Sequence, residues 1–445
     1  AFTERWLRTI ESVGSEGLDG QDLLSYEIFV RDAKLSLEGE RFPGWQQPIN
    51  QFYNFAAMAV QLGSGTGAQP FKTVQDYDNW RKRGARMPEL FDQSIANSRV
   101  GMQSGVVQPR ALMVKVLPQL DALIKTKAED TLFWAPIKNL PASFSEADKA
   151  RITAEYRQMI EGELMPAYKR LRSFIKDEYM PATRTTSGMA ALPNGDAWYA
   201  YNARNSTTTD LTPAQIHQIG LDEVARLTQE MIAIKDQVGF TGDLKAFFKF
   251  IKDDDQFYYP DTDEGREGYL EDSRQYLAFI NEQLPKYFGI LPKADLIVKR
   301  VEPFREQPGA AQHYFPGTPD GARPGIYYAH LSDMRSMPKN EMEAIAYHEG
   351  NPGHHMQISI AQELTSVPTF RTQAGFTAYS EGWGLYAELL AKEMGAYQNP
   401  YSDFGRLITE MWRAVRLVVD TGLHSKGWTE QQAIDYFLEK TPIAE

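Results

Sequence analysis

Cysteine is absent from the 445 residues. That excludes disulfides and thiol chemistry, and it leaves His, Asp and Glu as the ligands for any metal. No apolar run approaches the ~18 residues that a membrane-spanning helix needs. Clustered positive charge is missing as well. The net charge is −12, from 47 Lys+Arg against 59 Asp+Glu, which disfavours nonspecific binding to nucleic-acid phosphates. There is no internal repeat and no low-complexity tract. The start, Ala1-Phe2-Thr3-Glu4-Arg5, has neither an initiator Met nor an apolar signal core, so a chain trimmed before Ala1 is expected. What is present, 42% hydrophobic and 24% charged residues, is ordinary globular composition. The length exceeds the ~250–300 residues at which single cores stop growing, so two lobes are expected. The boundary is placed near Gly239–Asp243, giving segments 1–240 and 241–445.

Histidine is scarce, yet three of the seven fall in Ala346-Tyr347-His348-Glu349-Gly350-Asn351-Pro352-Gly353-His354-His355-Met356-Gln357. Imidazoles beside a carboxylate are ligand chemistry for a divalent transition metal with a base at hand. The segment departs from H-E-x-x-H, because Pro352 stands four residues after His348. On one unbroken helix His348 and His355 would sit roughly 10 Å apart along the axis, too far for one ion. Pro352 lacks an N–H and Gly353 tolerates unusual dihedrals, so the chain is expected to loop out and return a later histidine beside His348. His354 is the preferred second ligand and His355 the alternative. A histidine-rich surface helix end is the competing reading, and a downstream partner argues against it.

That partner is Tyr379-Ser380-Glu381-Gly382-Trp383-Gly384-Leu385-Tyr386-Ala387-Glu388. Glu381 on a separate helix would be a third ligand, leaving a fourth position open as in catalytic zinc sites. These motifs, with Arg416-Leu417-Val418-Val419-Asp420-Thr421-Gly422-Leu423-His424 and Gly427-Trp428-Thr429, resemble the bacterial domain-of-unknown-function family 885. Gly188 to Gly195, Thr207-Thr208-Thr209, and Thr212-Pro213 through Ile216-His217 extend the resemblance over most of the chain. It implies a mainly helical, zinc-dependent, peptidase-like protein, often exported or lipid-anchored. A periplasmic or membrane-anchored location follows as an expectation, with a lipid anchor in a removed N-terminus.

Helical periodicity dominates the chain. Helices are expected over Phe2–Ser12, Val74–Ser98 and Ala111–Lys127, and a long one from Ile152 to Ile175 is expected to kink at Pro166. Asn194-Gly195 suits a tight turn, so a small β-hairpin is expected across Met189–Tyr201. Thr212-Pro213 should start a helix running towards Gly239, with His217 structural. After a helix ending at Tyr287, the runs Leu296–Val301, Ala310–Phe315 and Gly325–Leu331 read as a small antiparallel sheet. Asn340 with Glu343 then reads as a capping box for the helix that delivers His348 and Glu349. Helices over Ala378–Met394, Ser402–His424 and Thr429–Leu438 complete a mainly α, two-lobed, metallopeptidase-like fold with its site in a cleft.

In this reading one zinc ion per chain is held by His348, His354 or His355, and Glu381, and Glu349 is the general base for hydrolysis of a peptide or small amide. Arg416, Asp420 and His424 recur at i, i+4 and i+8, so His424 is a candidate oxyanion donor oriented by Asp420, with charge from Arg416. Tyr379 and Tyr386 are alternative donors, and Glu388 is a candidate to orient a ligand histidine. By resemblance to thermolysin-like peptidases, an edge strand containing Gly325, Tyr327 and Tyr328 would pair with extended peptide, and Arg323 would bind a substrate carboxylate. The competing functions are a metal- or peptide-binding protein without turnover, and a hydrolase of non-peptide amides or esters.

Overall fold

The computed structural model describes residues 1–65, 69–301, 306 and 310–443. Two compact units emerge, one made of residues 40–196 and the other of residues 1–39 with 197–445. The boundary expected at 239–243 lies inside the second, in the turn between helices Pro213–Gln237 and Leu244–Asp253.

The 40–196 unit is helical around a buried aromatic core. Trp80 stacks on Phe133, and Phe91 meets Tyr168 edge-on. Buried tyrosine hydroxyls find acceptors, as Tyr168 does by donating to Ala56 O at 2.6 Å. The single helix expected over 74–98 is two, Val74–Gly84 and Met87–Ser104, because Pro88 fits the first turn of a new helix better than the middle of an old one. The helix expected over 111–127 runs Arg110–Leu123. In place of a simple kink at Pro166 there is a π turn over Ile160–Leu164, and a second over Phe174–Tyr179 precedes Pro181. Each widened turn makes room for a ring that would otherwise meet the carbonyl four residues back. The expected hairpin does not form. Asn194 does take a left-handed turn, φ 55°, but the turn leads from a 3₁₀ turn over Met189–Ala191 into helix Gly195–Thr207. The turn signal was real, and the element after it is a helix.

In the other unit, α1 (Pro213–Gln237) begins with the expected Thr212 cap, closed by Gln215 into a capping box. Next come α2 (Asp263–Tyr287), β1 (Leu296–Arg300), β2 (His313–Phe315) and β3 (Gly325–Ala329). The strand order is β1-β3-β2, with β1 parallel and β2 antiparallel to β3. The sheet is therefore mixed, where a wholly antiparallel one was expected, and β3 is its central strand. After it come α3 (Lys339–Glu349), α4 (His354–Glu363), α5 (Thr377–Glu393), α6 (Pro400–Ser425) and α7 (Glu430–Lys440). The Asn340/Glu343 capping box is absent, since α3 starts one residue before Asn340 and buries both side chains. Glu343 Oε1 accepts instead from Tyr347 Oη at 3.0 Å and Tyr397 N at 2.8 Å.

Helix α6 runs through one apolar cluster, and a second lies beside it. With α1, α6 packs Leu227, Met231, Phe404, Met411 and Val415, and Phe404 meets Phe247 edge-on at 4.8 Å. Truncating so enclosed a ring as Phe404 to Ala costs about 3–5 kcal/mol. The second cluster, with Tyr269, Ile280, Tyr327, Tyr347 and Met356, ties α2, β3, α3 and α4 together. α6 also packs directly on α3, which brings its Thr409–Arg413 segment under the end of α3. Among the described residues, no helix is long and apolar enough to cross a membrane.

Candidate metal centre

Helix α3 stops at Glu349, and α4 restarts at His354 after a four-residue break. Gly353 is required there, because a Cβ would stand 2.0 Å from His348 O. The break is closed by His355 N donating to Gly350 O at 3.1 Å. It turns the chain back so that the His348 and His354 rings stand edge to face with centroids 4.6 Å apart. From α5, Glu381 faces both, with 3.6 Å from His348 Nε2 to Glu381 Oε2 and 3.6 Å from His354 Nε2 to Glu381 Oε1. One ligand atom from each residue lies within 4.8 Å of the other two. These gaps exceed a good hydrogen bond, while a tetrahedral site with bonds of about 2.1 Å sets its ligand atoms roughly 3.4 Å apart. Two imidazole nitrogens and a carboxylate oxygen therefore suit a divalent transition metal in both chemistry and spacing.

The far side of His348 is fixed. Its Nδ1–H donates to Glu388 Oε1 at 2.8 Å, and Glu388 is itself buried, accepting from Thr409 Oγ1 on α6. Arg413 Nη2 lies 3.2 and 3.3 Å from the two ring nitrogens. The ring rests on α5 at Gly384, where a Cβ would come within 2.5 Å of His348 Cε1. Burial opposes charge on His348, but Glu381 and Glu388 outweigh it and push the pKa up to about 9. Burial, with the positive His348 beside it, drives His354 down to about 4. Contact with His348, helped by His354 and Arg413, holds Glu381 at about 2 despite partial burial. Glu349 behaves oppositely. Burial, with Glu381 adding repulsion, raises it to about 7, against the pull of His348, Arg413 and a hydrogen bond from Tyr314 N–H.

The model of the family described as "Bacterial protein of unknown function (DUF885)" matches residues 1–445. This chain belongs to the DUF885 family. No functionally curated protein matches the chain. Among solved structures, the chain is similar to one described as "the putative lipoprotein from Colwellia psychrerythraea". The identity is 28%, the TM-score 0.90, and the match covers 99% of this chain and 78% of that one. A structure described as "a putative lipoprotein of unknown function from Shewanella oneidensis" shares the fold at TM-score 0.68 and 18% identity, again over 99% and 78%.

In this DUF885 chain the other residues singled out in the sequence are placed as follows. His355 turns away from the cluster. Its Nε2–H donates to Ala294 O at 3.0 Å, its Nδ1 accepts from Tyr314 Oη at 3.0 Å, and burial lowers it to about 4, so it is a neutral, satisfied core imidazole. Tyr379 is 58% exposed on α5 and lines a cavity with Trp383. Asp420 and His424 pair further along α6, with Arg416 directed to Trp412. His424 Nε2 is 4.0 Å from Asp420 Oδ2, Tyr199 Oη donates to Asp420 Oδ1 at 2.5 Å, the His424 ring stacks on Tyr199, and Arg416 covers Trp412. By helical rise, His424 is roughly 16 Å along the axis from Arg413. His217 is structural, with Nδ1 2.8 Å from Thr421 Oγ1 and Trp428 edge-on.

The edge-strand expectation fails, because β3 is hydrogen-bonded on both sides by β1 and β2. Gly325 N donates to Asp295 O at 2.8 Å, Tyr327 is fully buried, Tyr328 stacks on His313, and Arg323 lies over the Phe315 ring. Sequence reasoning missed Arg413, Thr409 and Tyr314. Arg413 stands three residues before Arg416 on the same helix, and only the packing of α6 against α3 tells the two apart. Every residue of the cluster belongs to the unit of residues 1–39 and 197–445.

Proposed function

We propose that this chain is a metal-dependent hydrolase of peptide bonds, with zinc held by His348, His354 and Glu381. The observation that carries the reading is three donor atoms spaced for one ion, next to a buried carboxylate of pKa about 7. When bound, zinc supplies a lowered water pKa and a polarised carbonyl oxygen, the two things amide cleavage lacks in water. Glu349 takes the proton of the attacking water on a carboxylate oxygen and delivers it to the leaving nitrogen as the C–N bond breaks. Burial, which disfavours the charged carboxylate, favours its taking that proton. Glu388 holds the Nδ1–H of His348 and so aims Nε2 at Glu381. Arg413 sets a fixed positive charge beside the site, where negative charge would develop on the former carbonyl oxygen. The description of the similar Colwellia psychrerythraea protein as a putative lipoprotein supports export of this chain to the periplasm or a membrane surface.

The test is elemental analysis of the purified protein with anomalous scattering at the zinc edge, followed by assay against peptides, other amides and esters. One zinc per chain with cleavage of at least one peptide is expected. Full zinc occupancy in Glu381→Ala would overturn the ligand assignment. Turnover of esters or non-peptide amides alone would move the substrate class, and a metal-loaded protein that cleaves nothing would be a binding protein.

A further inference from the structure

The chemistry above leaves unused an apolar cavity of about 450 Å³, within the ~300–1,000 Å³ typical of small-molecule sites. Its walls are Phe288 and Ile290 after α2, Met356 and Ile360 on α4, and Tyr379 and Trp383 on α5. The helices α4 and α5 also carry two of the three proposed ligands, His354 and Glu381. On α4 the wall residue Gln357 follows His354 by three residues, so the two share a helix face. Trp383 Nε1–H donates to Pro352 O at 2.8 Å, so one ring both walls the cavity and holds the loop that positions His354.

Two observations define an occupant. Among the described residues no Asp, Glu, Lys, Arg or His lines the cavity, so a charged group entering it would lose its hydration without gaining a partner there. Large apolar surface is nevertheless left open there, with Ile290 68% and Tyr379 58% exposed. The exception to the apolar lining is Gln357, also on the wall, whose Oε1 is buried without a hydrogen-bond partner among the described residues. A buried acceptor left unmade is costly, and an N–H from a ligand would relieve it.

We propose that this cavity is the side-chain subsite of the substrate, taking a neutral, large apolar or aromatic residue next to the scissile bond, whose backbone N–H donates to Gln357 Oε1. The proposal rests on the peptidase reading and adds its specificity. It is tested on the metal-loaded full chain in two arms. In the first, N-acetyl amides of phenylalanine, leucine, lysine and aspartate are titrated and followed by ligand-observed NMR. In the second, kcat/KM is measured on peptides that vary at one residue beside the bond cleaved. Phenylalanine and leucine are expected to exceed lysine and aspartate by roughly 10–100-fold in both arms. Ile290→Asp, in an exposed loop, should cost the phenylalanine ligand at least ~10-fold with zinc content unchanged. Gln357→Leu should weaken the phenylalanine amide and leave its α-N-methyl analogue unaffected. Equal binding of charged and apolar amides, or no effect of a folded, zinc-loaded Ile290→Asp protein, overturns the subsite. Apolar selectivity in binding with no peptide cleaved upholds the cavity and overturns the peptidase reading. Cleavage without apolar preference does the reverse.

Discussion

Replacing Glu349 by Gln sets stability against turnover, because the same burial that tunes the carboxylate makes its charge expensive. In the metal-free protein its pKa is about 7 against 4.5 for a free side chain. At about 1.4 kcal/mol per pKa unit, ionising it in the fold costs on the order of 3 kcal/mol at alkaline pH. A carboxyl raised in the folded state contributes stability that is complete below 4.5 and lost as pH rises through about 7. Gln cannot ionise, still accepts from Tyr314 N–H, and removes that loss. The negative charge also supports protonated His348, so losing it gives back part of the gain, leaving roughly 1–3 kcal/mol. Urea unfolding of chelator-stripped parent and variant at pH 4.5 and 8.5 measures it. The two should nearly coincide at pH 4.5, and the variant should be the more stable at pH 8.5. The zinc-loaded variant should keep its metal and lose about 10²–10⁴-fold in turnover. A variant less stable than the parent at pH 8.5, or one that hydrolyses a good substrate near-normally, would refute the assignment of a buried, poised base.

His354→Ala and His355→Ala should part company. The first should empty the metal site at little structural cost, and the second should keep zinc while losing about 1–3 kcal/mol of stability from leaving Ala294 O without its donor and Tyr314 Oη with Ser359 Oγ alone. Comparable zinc loss in both would put the inner sphere elsewhere. Glu388→Gln should lower zinc affinity about 10–100-fold, read by competition with a chromogenic chelator, and unchanged affinity would show that Glu388 does not orient His348. Gly384→Ala pushes a methyl into the His348 ring and should cost about 1–3 kcal/mol together with zinc affinity, whereas a silent substitution would mean the ring has room to move. On α6, Arg413→Leu should reduce kcat about 10²-fold or more, with His424→Ala much milder, and the reverse order would restore the His424 group to the chemistry.

The grouping of His348, His354 and Glu381 was legible because its physics is local. An ion cannot span seven residues of straight helix, so Pro352-Gly353 had to be a break, and of the two histidines beyond it only one could turn inward. The helical character of the chain was legible for the same reason, in apolar spacing read over short windows. What escaped depends on contacts distant in sequence. Gly325–Ala329 has the look of a strand, but that β1 pairs on its far side is a property of the assembled sheet. Arg413 and Arg416 are alike in sequence, and α3 alone selects Arg413. Asn194-Gly195 is a correct turn that cannot announce whether a strand or a helix follows, and Asn340/Glu343 matches a cap while lying one residue too far inside its helix.

The hydrogen bond from Trp383 to Pro352, with the closure of the break by His355 N, bears on how the site fills. The loop that sets His354 is held by Trp383 from α5 and by the first turn of α4, so in the proposed metal site both histidines and Glu381 stand ready before an ion arrives. Little chain entropy remains to be lost on loading, and the affinity is spent on the metal itself rather than on ordering its cage. Uptake should accordingly be a rapid single-step filling with an almost unchanged far-ultraviolet spectrum, unlike a zinc finger, which must fold around its ion.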